Sequence, residues 1–171
     1  MKRLIFSALL GLSLLACGRP FKVSTAPGFV PLDDQHPYGY EYRSTTPEGV
    51  VVAIRVIEEE SRGDLDFWSQ ALTLQLRDVS GYALLSTKNV SSRDGTHGKR
   101  LEFGHDEDGK PYTYWVSVFS AQGRLFIVEA GGATEAFDRS RPSVEWMLAT
   151  VKVKCDTIVS PVLASRTCNR W

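Results

Sequence analysis

The stretch from residue 82 to residue 130 constrains the fold most, because short turns divide it into segments in which apolar and polar residues alternate. A period of two is typical of a strand with one buried face. Such short turns leave no room for a crossover connection, so neighbouring strands must be antiparallel. The sequence therefore predicts an antiparallel meander. Its strands are 82–91, 97–105, 112–119 and 124–130, and its turns are Arg93-Asp94-Gly95, 106–110 and Ala121-Gln122-Gly123.

A hairpin is predicted ahead of the meander. Tyr38, Tyr40 and Tyr42 alternate with other residues, which indicates a strand with one aromatic face. Residues 50–57 are almost wholly apolar and β-branched, as in a central strand that is covered on both faces. Pro47-Glu48-Gly49 lies between the two segments and has the chemistry of a turn.

Two helices complete the predicted elements. The first begins after Asp64 as N-cap, extends to Val79 and ends near Gly81. The second runs from about Pro142 to Val151, with a short helical turn before it near 135–138. The apolar stripe of the first helix consists of Leu65, Trp68, Leu72, Leu76 and Val79, widened by Phe67, Ala71 and Leu74. The predicted fold class is α+β, an antiparallel sheet of about six strands with helices packed on it.

The first 17 residues, MKRLIFSALLGLSLLAC, have the form of a secretory signal. Their apolar segment is too short to span a bilayer core of about 30 Å, which takes roughly 20 residues as a helix. The ending Leu-Leu-Ala-Cys resembles the lipobox of bacterial lipoproteins, in which the cysteine becomes the acylated N-terminus. The resemblance implies removal of residues 1–16 and lipidation of Cys17. Gly18, in place of aspartate, resembles the pattern for sorting to the outer membrane, with the domain facing the periplasm.

The alternative is an ordinary signal peptide with an incidental cysteine. After removal of the signal, residues 17–37 are rich in proline and glycine and are expected to form a flexible tether, with Phe29 and Val30 placed to dock on the core. A single domain over 38–154 would follow. A weakly patterned tail, 155–171, would end the chain.

Two cysteines, Cys155 and Cys168, lie in this tail. Because an exported compartment is oxidising, the sequence favours a disulfide between them, worth roughly 3 kcal/mol by the chain-entropy model. The alternative is two free thiols on a mobile tail. A metal site is disfavoured, since the cysteines are far apart in sequence and no histidine stands near them.

Charge excludes one class of function. The chain has 20 basic and 20 acidic residues, and neither sign forms a block. A basic footprint for nucleic acid is therefore missing, and nucleic acid is not an expected partner.

The order of elements, together with several short motifs, resembles the Mog/PsbP-like fold, known from the PsbP subunit of photosystem II and from DcrB-like bacterial lipoproteins. The resemblance covers residues 27–153. It implies a non-enzymatic binding or assembly role beside a membrane, and it provides no catalytic set to transfer. The motifs are 27–31 (PGFVP), 66–68 (DFW), 95–101 (GTHGKRL), 112–114 (YTY) and the final helix ending at Val151.

The sequence also offers weak signals for catalysis. His97 beside Asp94 is a candidate His–Asp pair, with Ser91 or Ser92 as nucleophile. All of these residues lie in one turn-rich stretch, so a solvated loop histidine is the favoured interpretation. The motif Gly-x-Ser-x-Gly is absent.

Three further stretches are candidates for ligand binding. Residues 105–108 (HDED) concentrate hard metal ligands, but they do not continue as a calcium loop and are interpreted as a charged turn. Gly131 and Gly132 precede a helix without matching a phosphate-binding fingerprint, so they are expected to turn the chain from sheet to helix. Trp68, Tyr114 and Trp115 are candidates for a groove that holds a ligand or a partner.

Together these features predict a lipid-anchored envelope protein that binds an envelope protein or a small ligand, catalyses no reaction and needs no cofactor or metal. The anchor would raise its effective concentration toward partners in the membrane. Two alternatives remain open. One is an accessory subunit of a secretion or surface complex, and the other is an extracytoplasmic hydrolase that uses His97 and Asp94.

Overall fold

The computed structural model describes residues 19–32, 39–58 and 63–154. The strands are β1 (Val30–Pro31), β2 (Tyr40–Thr45), β3 (Val51–Glu58), β4 (Ala83–Ser91), β5 (His97–Glu107), β6 (Lys110–Ala121) and β7 (Arg124–Ala133), and the helices are α1 (Leu65–Leu74) and α2 (Thr134–Thr150). All paired strands are antiparallel, and the sheet order is β1-β2-β3-β7-β6-β5-β4. The predicted α+β class, first hairpin and meander are confirmed. The sheet has seven strands where about six were expected, because β1 adds a short edge to β2.

The two helices lie on opposite faces of the sheet. Since successive side chains of a strand point to opposite sides, Trp115 and Phe119 contact the α2 layer, whereas Val116 and Val118 contact the α1 layer. Each layer forms its own hydrophobic cluster. The two faces are called the α2 face and the α1 face below.

Helix α1 confirms the first predicted helix. Asp64 caps it by accepting a 2.7 Å hydrogen bond from the backbone N–H of Phe67. The helix continues into one π-helical turn, Gln75–Val79, and the chain leaves it through Gly81, whose φ is +71°. Three predicted core positions are wrong, because Phe67, Leu74 and Val79 are 56%, 57% and 72% exposed.

Helix α2 differs from the prediction at its start. Gly131 and Gly132 do not turn the chain into a helix, because β7 continues through both of them to Ala133. The helix then runs unbroken from Thr134, with Pro142 inside it. Pro142 is exposed, so the carbonyl that it leaves unpaired can face water. Phe137 and Val144, fully buried on either side of the proline, hold both halves of the helix to the sheet.

Part of the expected tether belongs to the folded unit. Phe21 and Phe29 are buried in the core of the α2 face, at 2% and 7% exposure. Lys22 and Lys152 exchange backbone hydrogen bonds of 3.0 and 2.9 Å, which join this segment to the end of α2. The domain therefore includes residues 19–32, and the expectation of a tether does not hold for them.

The lipidation at Cys17 and the disulfide between Cys155 and Cys168 lie outside the described residues, and both stay predictions. Within the described ranges, neither helix is long and apolar enough to cross a membrane.

Candidate functional site

Helix α1 covers only part of its face of the sheet. It packs on β5 and β6, and the area over β2, β3 and β7 is left as a groove of about 250 Å³. We call this feature the tyrosine groove. Tyr40 and Arg43 of β2 form one wall, Tyr82, Tyr112 and Tyr114 form the other, and the floor consists of Val51, Ala53, Glu129 and Gly131.

The register of β3 and β7 explains why few side-chain atoms fill the floor of the groove. Val51 lies opposite Gly131, and Ala53 lies opposite Glu129. Three of these four residues have short side chains, so the sheet surface lies open between the two aromatic walls. The groove is thus a consequence of small residues on β3 and β7, framed by large ones on β2 and β6.

Glu129 organises the groove. Its side chain is 5% exposed, and Arg55 donates a 2.8 Å hydrogen bond from Nη2 to Oε1. The Tyr40 hydroxyl donates to Oε2, and the Tyr114 phenol lies near enough to interact with the charge of the carboxylate. A buried charge needs such partners, because removal from water costs several kcal/mol that hydrogen bonds and an opposite charge must offset. The carboxylate is therefore held in a fixed, neutralised setting.

The two phenols near Glu129, Tyr40 and Tyr114, keep their protons. For Tyr40, burial, the hydrogen bond to Glu129 and the negative charge of Glu129 raise the pKa to about 12. For Tyr114, burial and then the charge of Glu129 raise the pKa far above that of a free phenol. Both hydroxyls are therefore protonated at neutral pH, and that of Tyr40 donates to the carboxylate.

A β-bulge places Tyr40 in the groove. The sequence predicts that Tyr40 and Tyr42 share a face, and this is wrong. Tyr40 pairs with Arg55 while Tyr42 pairs with Ile54, so β2 contains one extra residue between them. Tyr42 consequently lies buried on the α2 face, whereas Tyr40 points to the α1 face and reaches Glu129.

Gly131 allows Tyr114 to lie close to β7. These two residues are register partners on neighbouring strands. A Cβ at position 131 would lie 3.0 Å from Cδ2 of Tyr114 and 3.2 Å from the carbonyl oxygen of Thr113. A side chain there would press on the Tyr114 ring of the groove wall, so the glycine serves the groove and not a turn.

The end of α1 supplies the remaining wall. After the π-helical turn, the N–H of Tyr82 donates a 2.9 Å hydrogen bond to the carbonyl of Leu76, which fixes the exit of the chain. The Tyr82 ring lies 5.3 Å from that of Tyr114 and stacks on His105 at 4.7 Å, measured between ring centroids. The wall is therefore a continuous aromatic surface.

The three aromatic residues predicted to share a groove are not brought together. Tyr114 lines the tyrosine groove, but Trp115 is 3% exposed on the opposite face, with its ring 4.9 Å from that of Phe137. Trp68 packs between α1 and the sheet. Arg55 and Glu129 were missed, although each is a single charge inside an apolar strand. That pattern is a signal of a buried, paired charge.

The candidate His–Asp pair does not form a catalytic arrangement. Asp94 accepts hydrogen bonds at Oδ2 from the backbone N–H groups of Val153 and Lys154, at 2.8 and 2.9 Å, and at Oδ1 from the hydroxyls of Ser92 and Thr96. It thus clamps the chain after α2 to the β4–β5 turn. Burial raises its pKa, but these hydrogen bonds outweigh burial and lower the pKa below the usual value. His97 is exposed.

Residues 105–108 (HDED) form the end of β5 and the beginning of the turn that follows it. Nδ1 of His105 donates to the Gly81 carbonyl oxygen at 3.3 Å, and the imidazole ring stacks on Tyr82. In the part of the chain that the structure describes, no three histidine, cysteine or acidic side chains converge as a metal site requires.

Comparison with known proteins identifies the fold. No family model matches the chain, and no curated protein matches its sequence. Solved structures do match. Cyanobacterial PsbP (CyanoP) from Synechocystis has a TM-score of 0.54 at 13% identity, over 81% of this chain and 95% of the other. LpqN from Mycobacterium tuberculosis has 0.57 at 11% identity, over 77% and 82%.

The Ran-binding protein Mog1p from Saccharomyces cerevisiae has a TM-score of 0.56 at 10% identity, over 78% of this chain and 90% of the other. The fold is Mog/PsbP-like. At such low identities the similarity concerns the fold alone, since unrelated functions share folds. The resemblance predicted from the sequence is thereby confirmed for the architecture.

Proposed function

We propose that this chain is a lipid-anchored envelope protein whose domain binds a partner protein or a small ligand without catalysing a reaction. The tyrosine groove is the proposed binding site, and it is the observation that carries the proposal. It is the part of the α1 face that α1 leaves open, and its polar groups are already held in place by the contacts of Glu129. Preorganised, aromatic-lined concave sites are typical of binding.

The chemistry of the groove supports binding over catalysis. Both oxygens of Glu129 accept hydrogen bonds, so the carboxylate could act as a base only by breaking them. Tyr40 and Tyr114 hold their protons too strongly to serve as bases near neutral pH. Thr113, a hydroxyl residue of the lining, is hydrogen-bonded to Thr134 at 3.0 Å.

Some structural neighbours favour an envelope setting and a partner protein. LpqN is described as involved in cell envelope biogenesis, and Mog1p is described as a Ran-binding protein. These descriptions concern those proteins, and they serve here as analogy at the level of the fold.

The proposed anchor would hold the domain close to the bilayer. Phe21 is buried in the core only four residues after Cys17. Four extended residues span about 14 Å, so an acylated Cys17 would keep the domain nearly in contact with the headgroups. Two or more acyl chains would make this attachment stable.

Metabolic labelling with a fatty-acid probe tests the anchor. Wild-type protein should incorporate the probe and remain in the membrane fraction, whereas Cys17→Ser should do neither. Equal labelling of both proteins, or an unlabelled soluble wild-type protein, would contradict lipidation at Cys17.

Site-specific photo-crosslinking in the native cells tests the groove. A photoreactive residue at Tyr112, on the groove wall, should form an adduct with a partner. The same residue at Glu135, exposed on α2 on the other face of the sheet, is the matched control. A stoichiometric protein adduct at position 112 alone would favour the accessory-subunit alternative over a small ligand. Equal adducts at both positions would refute the groove as a specific site.

A further inference from the structure

We infer that the ligand of the tyrosine groove carries a carboxylate that binds Arg43, attached to a flat aromatic or apolar group that packs against the opposite wall. This inference rests on the proposed binding function and specifies the chemistry of the ligand. It is argued from the charges of the groove, its walls and its size.

The described charged side chains of the groove include one more positive charge than negative charges. Glu129 and Arg55 neutralise each other through their 2.8 Å ion pair. Arg43 lines the groove, and its guanidinium carbon lies 6.0 Å from the centroid of the Tyr40 ring. Among the residues that the structure describes, no carboxylate lies within ion-pairing distance of Arg43. The described side chains Arg43, Arg55 and Glu129 together therefore carry a net charge of +1, which matches a monoanion.

A guanidinium favours a carboxylate for geometric reasons. Its planar fork of N–H groups fits the two oxygens of a carboxylate in parallel. A phosphate dianion would leave one negative charge without a counter-charge in the groove, and taking an unpaired charge partly out of water costs free energy. A single arginine thus selects for the monoanionic group.

The wall opposite Arg43 fits a ring. Tyr82 and Tyr114 have their centroids 5.3 Å apart and present a continuous aromatic surface, and Tyr112 extends it toward the end of the sheet. The groove volume of about 250 Å³ lies below the range of roughly 300–1,000 Å³ that is usual for drug-sized ligands. The bound group is therefore small, such as one ring with its carboxylate, either free or at the C-terminus of a peptide.

Titration of the purified full chain, followed by ¹H–¹⁵N NMR, tests this inference. The probes are 3-phenylpropanoate, N-acetylphenylalanine as a mimic of a peptide C-terminus, the neutral amides of both, and inorganic phosphate. The amide of Gly131 reports on the groove, and that of Gly123, in the β6–β7 turn, is the reference. At least one carboxylate should shift the Gly131 signal and bind at least tenfold more tightly than its amide, and phosphate should not compete.

Two variants separate Arg43 from general charge effects. Arg43→Gln should weaken carboxylate binding at least tenfold, whereas Arg43→Lys should retain part of it. Arg139→Gln, which removes an exposed arginine of α2 on the other face, should leave binding unchanged. The stronger of the two carboxylates would identify the ligand as free or as a peptide end.

The outcomes distinguish this inference from the proposed function. If amide and carboxylate bind equally well and Arg43→Gln has no effect, the anionic ligand is refuted while the groove remains a binding site. If no probe shifts Gly131 but a photoreactive residue at Tyr112 captures a partner, the inference fails and the proposed function stands. If neither binding of a probe nor a specific adduct at position 112 is seen, both the inference and the proposed function are refuted.

Discussion

Replacing Glu129 by glutamine should destabilise the domain far more than replacing an exposed glutamate on the same pair of strands. Glu129 is 5% exposed and holds Arg55, whose side chain is 34% exposed, at 2.8 Å. The glutamine would leave Arg55 without its counter-charge and would turn an amide toward groups that donate hydrogen bonds. Breaking a fully buried pair costs roughly 3–5 kcal/mol. Because a third of Arg55 reaches water, which screens its charge, we expect a loss of about 2–4 kcal/mol.

Glu58 provides a matched control within the same strand pair. It accepts a hydrogen bond from Arg124 at the same distance, 2.8 Å, also between β3 and β7, but it is 73% exposed. Glu58→Gln should therefore cost less than about 1 kcal/mol. The two variants differ chiefly in burial, so the difference between them isolates the effect of burial.

Urea unfolding, followed by the fluorescence of the tryptophans, measures both losses. With an m-value of about 2 kcal/mol per molar, a loss of 3 kcal/mol lowers the midpoint by about 1.5 M. Adding Arg55→Met to Glu129→Gln should restore part of the stability, with a coupling of about 1–3 kcal/mol between the two substitutions. If Glu129→Gln and Glu58→Gln shift the midpoint equally, the reasoning from burial is refuted. Strict additivity of the double variant would show that the pair does not act as a unit.

Two further predictions follow from individual contacts. Because the folded state raises the pKa of Tyr40 from 10.0 to about 12, the stability it contributes is complete below pH 10 and is lost as the pH rises toward 12. The unfolding midpoint of wild type should therefore fall more steeply over this range than that of Tyr40→Phe, and parallel curves would contradict the assignment. Asp94→Ala should cost roughly 1–3 kcal/mol and speed hydrogen exchange at the amides of Val153 and Lys154, whereas Asp106→Ala, at an exposed position, should do neither. Because the pKa of Asp94 is lowered, this clamp should be present above about pH 4 and weaken below it, and unchanged exchange in Asp94→Ala would refute the clamp.

The sequence predicts the elements well because local patterns determine them. The alternation in residues 82–130 and the short turns leave an antiparallel meander as the consistent solution, and Asp64 with the spacing after it fixes the start of α1. Failures occur where a long-range contact overrides a local preference. Pro142 predicts a helix start, yet the burial of Phe137 and Val144 carries the helix across it.

The tyrosine groove depends on tertiary structure for the same reason. Tyr40 and Glu129 are 89 residues apart, and Arg55 and Glu129 are 74 apart, so no local pattern relates them. Even with the strands known, alternation alone places Tyr40 on the wrong face, because one extra residue in β2 reverses the side to which it points.

The sequence by itself determined that this chain forms an antiparallel sheet, since periodicity and turn chemistry act within a few residues. It also determined that one helix lies between the first hairpin and the meander and that a second helix follows the meander. The sequence also carries Arg55 and Glu129 as single charges within apolar strands, although their role was not predicted from it. Only the tertiary structure decided that those charges meet, that α1 leaves part of its face open and that four tyrosines surround the opening. Register, the bulge and the reach of α1 arise from contacts between distant segments, and these contacts exist only once the whole sheet has formed.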